Sequence, residues 1–201
     1  MRTRMRKRKS KGLWLLFGVL LGALLIFQRY HKQHCVVSEI VDGDTILCAD
    51  GFRVRLLGVD APEAVLNRRV ELQLKYFGSV ERVLKAGKEA KEFLESLTPP
   101  GTRLQLEYDV EKKDRYGRIL AYAWLPDGRM VNETLLREGY ALLLVIPPNE
   151  KYRITLTEAY LEAQRKKKGL WRYTTYPFTS TISPSTLPFS SFRMPIVFTF
   201  A

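Results

Sequence analysis

Histidine and cysteine are scarce in this sequence, with two of each among 201 residues. Both histidines, His31 and His34, lie near the N-terminus. The rest of the chain therefore excludes a Ser-His-Asp triad, an H-E-x-x-H zinc site and a histidine general base. Two cysteines are also too few for a cysteine-rich disulfide scaffold. Catalysis by this chain must use carboxylates, arginine, lysine or tyrosine.

Acidic residues are absent from residues 1–34, which contain nine lysines and arginines. These cations account for most of the formal net charge of +12, and residues 35–173 carry only +2. The basic character of the chain therefore describes mainly its N-terminus. Bulk charge alone does not indicate that the remainder binds nucleic acid.

Seven of these cations precede an uncharged, mostly apolar run at residues 12–27. As a helix this run would be about 24 Å long, slightly shorter than a hydrocarbon core of roughly 30 Å. The small residues of a signal-peptide cleavage site do not follow it. We therefore interpret residues 1–34 as an uncleaved transmembrane anchor, with a cytoplasmic N-terminus and an extracytoplasmic domain. The alternatives are secretion after cleavage and a buried core helix.

Residues 35–173 alternate between short β-branched or apolar segments and turn residues, which is typical of strands. The predicted strands are residues 35–41, 45–48, 52–59, 103–108, 119–125 and 129–131. The predicted helices are residues 80–97, a short helix capped by Asn132 and ending at Gly139, and residues 157–168. Residues 63–78 show no period and are predicted as a loop.

This pattern predicts a mainly β, α+β domain: a five-stranded barrel of the OB type with about three helices. Cys35 and Cys48 lie on the two strands of one predicted hairpin. Outside the cytoplasm they could form a disulfide, and the alternative is two small buried apolar side chains. Residues 174–201 are rich in Ser, Thr, Pro and Phe, and we interpret them as a disordered tail.

Six charged residues stand out by their positions. They are Asp42 and Asp44 around one turn, Arg55 within a strand, Asp60 and Glu63 at the end of that strand, and Arg118 after a turn. A hard divalent cation needs several oxygen ligands, which Asp44 and Asp60 could supply. Arginines bind phosphate oxygens through paired hydrogen bonds, and without histidine a carboxylate must act as the base. The set predicts metal-assisted hydrolysis of a phosphodiester.

Three of these segments also resemble a known family. Residues 41–45 (VDGDT), 55–63 (RLLGVDAPE) and 114–122 (DRYGRILAY) are similar, in order, to motifs of the thermonuclease (staphylococcal nuclease) family. Residues 87–90 and 130–135 extend the likeness, which covers about residues 35–173.

The resemblance implies an OB-fold barrel with three helices and a calcium-dependent nuclease that acts on DNA and RNA. By motif position, Asp44 and Asp60 would be side-chain ligands of Ca²⁺, and Ala61 would offer its carbonyl group. Arg55 and Arg118 would bind the scissile phosphate, and Glu63 would be the general base. The residues that would bind substrate or shape the site are Asp42, Thr45, Arg115 and Tyr116.

The sequence departs from the family pattern at an insertion within residues 67–83 and at residues 142–148, which lack the tyrosines that stack on the nucleotide. A non-catalytic nucleic-acid-binding barrel is the alternative function, and a structural domain in which Arg55 and Glu63 merely pair is a third. A binding module has no use for Glu63 beside two arginines and a metal site, so we favour the enzyme. The pattern indicates no protein partner.

Overall fold

The computed structural model describes residues 33–172 and, upstream of them, only Gly18. Apart from that glycine, residues 1–32 of the predicted membrane anchor lie outside the described residues, and so does the predicted tail. The last two residues of the predicted anchor, Gln33 and His34, belong instead to the first strand of the domain. Within the described part of the chain, no helix is both long and apolar enough to cross a membrane.

Five strands close into a barrel, as the sequence predicts. The strands of the structure are β1 (Gln33–Asp42), β2 (Thr45–Cys48), β3 (Arg53–Leu56), β4 (Gly58–Asp60), β5 (Arg103–Glu107), β6 (Ile119–Trp124) and β7 (Leu142–Leu144). The barrel order is β1-β2-β3-β6-β5, with β5 pairing back to β1. Only β3 and β6 pair in parallel, and the other barrel neighbours are antiparallel. The inward side chains of all five strands form one apolar core.

The predicted strand at residues 52–59 is two strands, β3 and β4. The chain leaves the barrel at Leu57, and Gly58 has a φ of +76°. A residue with a β-carbon would be strained there and would overlap the side chain of Leu156. The break sends β4 into a separate two-stranded sheet with β7, a strand that the sequence analysis missed. It also carries Asp60 away from the barrel wall.

The described residues contain four α-helices rather than about three. They are α1 (Arg68–Phe77), α2 (Val80–Leu97), α3 (Val131–Arg137) and α4 (Arg153–Arg165), followed by a 3₁₀ helix at Gly169–Arg172. Helix α2 has the predicted bounds. The predicted loop at residues 63–78 is wrong, because α1 lies within it. The Asn67 side chain caps the start of α1, and Gly78 ends it with a φ of +78°.

Asn132 does not cap a helix. It is buried within α3, where its Oδ1 accepts a hydrogen bond from the Ala123 N–H (2.9 Å) and its Nδ2 donates to the Leu57 carbonyl (2.7 Å). These bonds tie α3 to β6 and to the end of β3. The predicted strand at residues 129–131 is reduced to one bridge between Trp124 and Met130.

Cys35 and Cys48 are joined in a disulfide, with their Cα atoms 5.3 Å apart. Both residues are buried in the barrel core. The bond links β1 to β2 at the end of the hairpin opposite the Asp42–Asp44 turn. The alternative of two free buried thiols is therefore not what the structure shows.

Candidate active site

The predicted site residues come from three chain segments that the barrel brings together. The turn between β1 and β2 carries Asp42 and Asp44, and the pairing of Thr45 with Arg55 places β3 beside that turn. A β-carbon at Gly43 would lie 2.6 Å from the Cβ of Ala61, so only glycine lets the turn approach the segment after β4 this closely.

Arg55 lies between the two predicted metal ligands. Its NH1 pairs with Asp44 Oδ2, and its NH2 is 3.0 Å from Asp60 Oδ1. The Arg55 side chain is only 11% exposed, so its charge would be costly without these partners. A purely structural role would pair Arg55 with Glu63. In the structure, Glu63 pairs instead with Arg69.

Asp44 is held as a carboxylate by its surroundings. Thr45 Oγ1 donates to Oδ1 (3.0 Å), and the Ala61 N–H donates to Oδ2 (2.9 Å). Burial alone would raise the pKa of Asp44, but the Arg55 charge and the hydrogen bonds lower it below the usual value. Asp44 is therefore negative at neutral pH.

The neighbouring carboxyl groups are pushed the other way. Burial, followed by the charge of Asp44, raises the pKa of Asp42 to about 7. Burial also raises the pKa of Asp60, although Arg55 opposes the shift. Carboxylates that are buried close to one another favour binding of a proton or a cation.

Arg69 completes the cluster and was not predicted. Its NH2 is 2.5 Å from Asp60 Oδ1, and its Nε is 3.1 Å from Glu63 Oε1. Burial alone would lower the pKa of Arg69, but the two carboxylates raise it. Arg69 lies in the first turn of α1, within the segment predicted as a loop. Asn67 and Gly78, a capping residue and a helix-ending glycine eleven residues apart, are the signal that could have revealed this helix.

Helix α1 also holds the chain around Glu63. Asn67 Nδ2 donates to Glu63 Oε2 (2.6 Å), and the Glu63 N–H donates to Gln73 Oε1 (2.9 Å). The buried Gln73 in turn donates from Nε2 to the Ala61 carbonyl (3.3 Å). The carbonyl predicted as a metal ligand is thus hydrogen-bonded to a side chain that the sequence analysis did not single out.

Arg118 stands on a tight turn with Tyr116. Its Nε donates to Asp114 Oδ2 (2.7 Å), and its guanidinium carbon is 5.6 Å from the centre of the Tyr116 ring. Tyr116 is 69% exposed, and Arg115 lies against the same ring at 4.9 Å.

A surface cleft of about 710 Å³ brings this turn together with α1. Its lining residues are Leu47, Gly51, Phe52, Arg53, Arg69, Tyr116, Gly117 and Arg118. Arg118 and Tyr116 therefore share a cleft with Arg69. Arg55 is buried and does not line it, and neither does Arg115.

No group of three or more His, Cys, Asp or Glu side chains within residues 33–172 is arranged as a metal-binding cluster. The donor set nevertheless suits a hard cation. The cluster contains four carboxyl groups, Asp42, Asp44, Asp60 and Glu63, and two guanidinium groups, Arg55 and Arg69. With every group ionised the carboxylates are in excess by two charges. Carboxylate oxygens are the ligands that hard divalent cations prefer.

Comparison with known proteins relates this arrangement to one family. The family model for staphylococcal nuclease homologues matches residues 53–173. The thermonuclease of Staphylococcus intermedius is 44% identical over 140 residues, which cover 68% of this chain and 74% of that protein. The thermonuclease of Staphylococcus hyicus is 39% identical over 145 residues, covering 70% and 77%.

A more distant relative is the endonuclease YncB of Bacillus subtilis, 36% identical over 145 residues that cover 70% of this chain and 62% of that protein. The match of the family model spans more than half of the chain, including barrel strands β3, β5 and β6, and the two thermonucleases are covered over most of their length. This chain therefore belongs to the family of staphylococcal nuclease homologues and is a hydrolase of the nuclease class.

Proposed function

We propose that this nuclease hydrolyses phosphodiester bonds of DNA or RNA with the help of Ca²⁺, that Glu63 activates the attacking water, and that Arg55 and Arg118 bind the scissile phosphate. The observation that carries the proposal is the buried Asp44–Arg55–Asp60 arrangement, which Arg69 connects to Glu63 and to an arginine-lined cleft.

Asp44 and Asp60 are the residues that would hold the cation, with the Ala61 carbonyl beside them. Both side chains are largely buried, and a divalent cation would balance the excess of carboxylate charge over guanidinium charge in the cluster as a whole. Bound there, Ca²⁺ would neutralise charge on the phosphate. Asp42 supports the turn, since its Oδ1 accepts a hydrogen bond from the Asp44 N–H (3.1 Å).

Glu63 is the best-placed base. Asn67 and Arg69 bind its two carboxylate oxygens, so that the capping residue and the first turn of α1 orient this side chain. No histidine belongs to this cluster, since His34 lies on β1 beside the Cys35–Cys48 disulfide at the other end of the hairpin. The Glu63 carboxylate therefore accepts the proton of the attacking water.

The two arginines have different surroundings. The Asp114 pair fixes the Nε of Arg118, and the side chain lines the cleft, which a substrate can enter. A planar guanidinium can hold two phosphate oxygens at once, which an ammonium group cannot. The role of the buried Arg55 rests on its motif and on its position between the two carboxylates.

We also propose that the nuclease is anchored in the membrane by residues 1–34, with its catalytic domain outside the cytoplasm. The run at residues 12–27 with its flanking cations supports an anchor. The Cys35–Cys48 disulfide supports an oxidising compartment, because such bonds are rare in the cytosol. Protease treatment of intact cells should remove the domain.

The test of the activity compares full-length wild type with Glu63→Gln. Both are incubated with single-stranded DNA, duplex DNA and RNA, in calcium or in chelator. We expect wild-type cleavage only with calcium and a loss of at least about 10²-fold in kcat for Glu63→Gln, because a general base contributes about 10²–10⁴-fold. Glu95→Gln, at an exposed position of α2, is the control. Wild-type turnover by Glu63→Gln would remove Glu63 from the mechanism.

Metal binding has its own readout. Calcium at about 100 times its Kd should stabilise the folded wild type by about 2.7 kcal/mol, because only the native state binds it. Asp44→Asn should lose this shift in thermal unfolding. An equal shift in both proteins would place the ion elsewhere.

A further inference from the structure

A second groove lies beside the active-site cleft and takes no part in the hydrolysis proposed above. It has a volume of about 460 Å³. Its lining residues are Gln33, Phe52, Tyr108, Lys112, Lys113 and Ile119. Phe52 also lines the active-site cleft, so the two grooves share a wall.

The two grooves follow one another along the outside of the barrel. The active-site cleft runs over the β2–β3 hairpin, where Leu47 and Arg53 are paired and neither is buried. Phe52 stands at the end of this hairpin, and the second groove begins there. Lys113 is joined to Ile119 by a bridge, so the turn that carries Arg118 also carries the lysines.

Cationic side chains line both parts of the path, although carboxylates outside the lining pair with Arg69 and Arg118. Arg53, Arg69 and Arg118 line the active-site cleft, and Lys112 and Lys113 line the second groove. Both lysines are exposed, and none of the described residues that line either groove is acidic. A polyanion is therefore attracted along the whole path.

Two aromatic rings stand among these cations. Phe52 and Tyr108 are half-buried and pack against the barrel core, which fixes their positions. The Nζ of Lys112 is 5.7 Å from the centre of the Tyr108 ring. Fixed rings between cations are the pattern that binds unpaired nucleotides, whose bases stack on the rings while the backbone follows the charges. Bases within a duplex are already stacked on one another.

We propose that the second groove binds the single-stranded continuation of a nucleic acid whose scissile phosphate lies in the active-site cleft. Phe52 and Tyr108 stack on its bases, and Lys112 and Lys113 contact its phosphates. The inference rests on the proposed function for the position of the scissile phosphate. It adds a second binding surface, used by unpaired strands long enough to reach past the hairpin.

The first experiment removes the charges. Full-length wild type and the double variant Lys112→Ala/Lys113→Ala bind labelled single-stranded DNA or RNA of increasing length, in chelator and at several salt concentrations. For strands that span both grooves, the slope of log affinity against log salt should fall in magnitude by about 1.4, since each lost phosphate contact contributes about 0.7. Binding of a dinucleotide should be unchanged. The matched control is Lys166→Ala/Lys167→Ala, two exposed lysines after α4.

The second experiment removes a ring but keeps the packing. Phe52→Leu retains an apolar contact with the core and should unfold at nearly the wild-type temperature. Long single strands should bind about 5- to 150-fold more weakly, the range expected for loss of one stacked base. Duplex binding should weaken less, because Phe52 also lines the active-site cleft but finds no unpaired base of a duplex to stack on. Equal effects on DNA and RNA would agree with the proposal, because both present the same ring faces and phosphates.

Three results would overturn the inference. The first is that the groove variants bind every strand like the control pair. The second is a loss of affinity as large for duplexes as for single strands. The third is a loss of affinity as large for the dinucleotide as for long strands. Failure of the proposed function looks different. If wild type cleaves nothing in calcium while the length-dependent losses occur, the second groove stands and the catalytic assignment falls. If cleavage depends on Glu63 but the groove variants bind like the control, the catalytic assignment stands and the second groove falls.

Discussion

Arg69 divides its guanidinium between the predicted metal ligand Asp60 and the predicted base Glu63. In this position it is an internal cation that partly neutralises both carboxylates before any metal binds. It also lines the cleft that a substrate would enter. A single side chain thus links the proposed cation site, the proposed base and the cleft proposed for the substrate.

Arg69→Gln should bind Ca²⁺ more tightly than wild type, because a competing positive charge is removed. We expect a change of about 5- to 10-fold, the size of a partly exposed charge interaction of about 1 kcal/mol. The kcat should fall at the same time, since Glu63 loses one of the groups that orient it. Calorimetric calcium titration and steady-state kinetics measure the two effects. Arg68→Gln, the exposed neighbour on α1, is the control, and equal calcium affinity in the two variants would contradict this role of Arg69.

Helix α2 packs against the site through its smallest residues. Gly87 lies against the backbone of the Glu63 segment, and Ala90 lies against the Asp42–Asp44 turn. A β-carbon at Gly87 would overlap the Glu63 carbonyl group and would come within 2.5 Å of the Ala64 nitrogen. The likeness of residues 87–90 to the family therefore has a steric cause.

Gly87→Ala should lower both stability and kcat. Helix propensity alone predicts a gain of about 1 kcal/mol for this change, so the sign of the effect distinguishes propensity from packing. We expect the free energy of unfolding to fall by about 1–3 kcal/mol as the helix and the Glu63 segment move apart. Urea unfolding and kinetics of the full-length protein check both values. A more stable and fully active variant would show that the segment can adjust at no cost.

The β1–β2 hairpin is closed at one end by the Cys35–Cys48 disulfide, which joins residues 13 positions apart. Cys35→Ala/Cys48→Ala should lose about 2–3 kcal/mol of stability, chiefly because the unfolded chain gains freedom. The kcat should not change where the variant remains folded, since the site is at the other end of the hairpin. Reductant should destabilise wild type and leave the double variant unaffected. If the free energies of unfolding of reduced wild type and of the double variant differ, the cavity left by the two alanines adds a cost of its own.

Across the whole molecule, Glu107 connects the barrel to the last long helix. Trp124 Nε1 on β6 donates to its Oε2 (2.9 Å), and the Tyr152 hydroxyl, at the start of α4, donates to both carboxylate oxygens (3.1 and 3.0 Å). Lys151 pairs with the same group. Burial alone would raise the pKa of Glu107, but these partners lower it below its usual value.

A lowered pKa in the folded state stabilises the protein above the unfolded pKa of about 4.5, and this contribution is lost as the pH falls through the folded value. Glu107→Gln should therefore cost about 1–3 kcal/mol at pH 7, and the difference from wild type should shrink at acidic pH. Unfolding free energies measured from pH 7 down to pH 3 test this. Glu95→Gln should show little difference at any pH. If the difference in unfolding free energy between Glu107→Gln and wild type is constant with pH, the charge of Glu107 is not the cause of that difference.

Much of the fold follows from local pattern. The bounds of β2 and α2 were predicted to the residue, because alternation and helical spacing are properties of neighbouring residues. The segment at residues 63–78 was misread because α1 is short and carries two charged residues at its start, so that its apolar face is weak in the sequence. Its caps were the better signal.

By itself, the sequence determined the barrel, the family, and the charged residues Asp44, Arg55 and Glu63 as candidates, because their motifs are contiguous and their chemistry is a property of residue type. Only the tertiary structure decided that Arg69 and Gln73 join them and that Phe52 lies between two grooves. Those outcomes depend on how segments distant in sequence pack together. The free energy of that packing comes from contacts between segments, which no local pattern encodes.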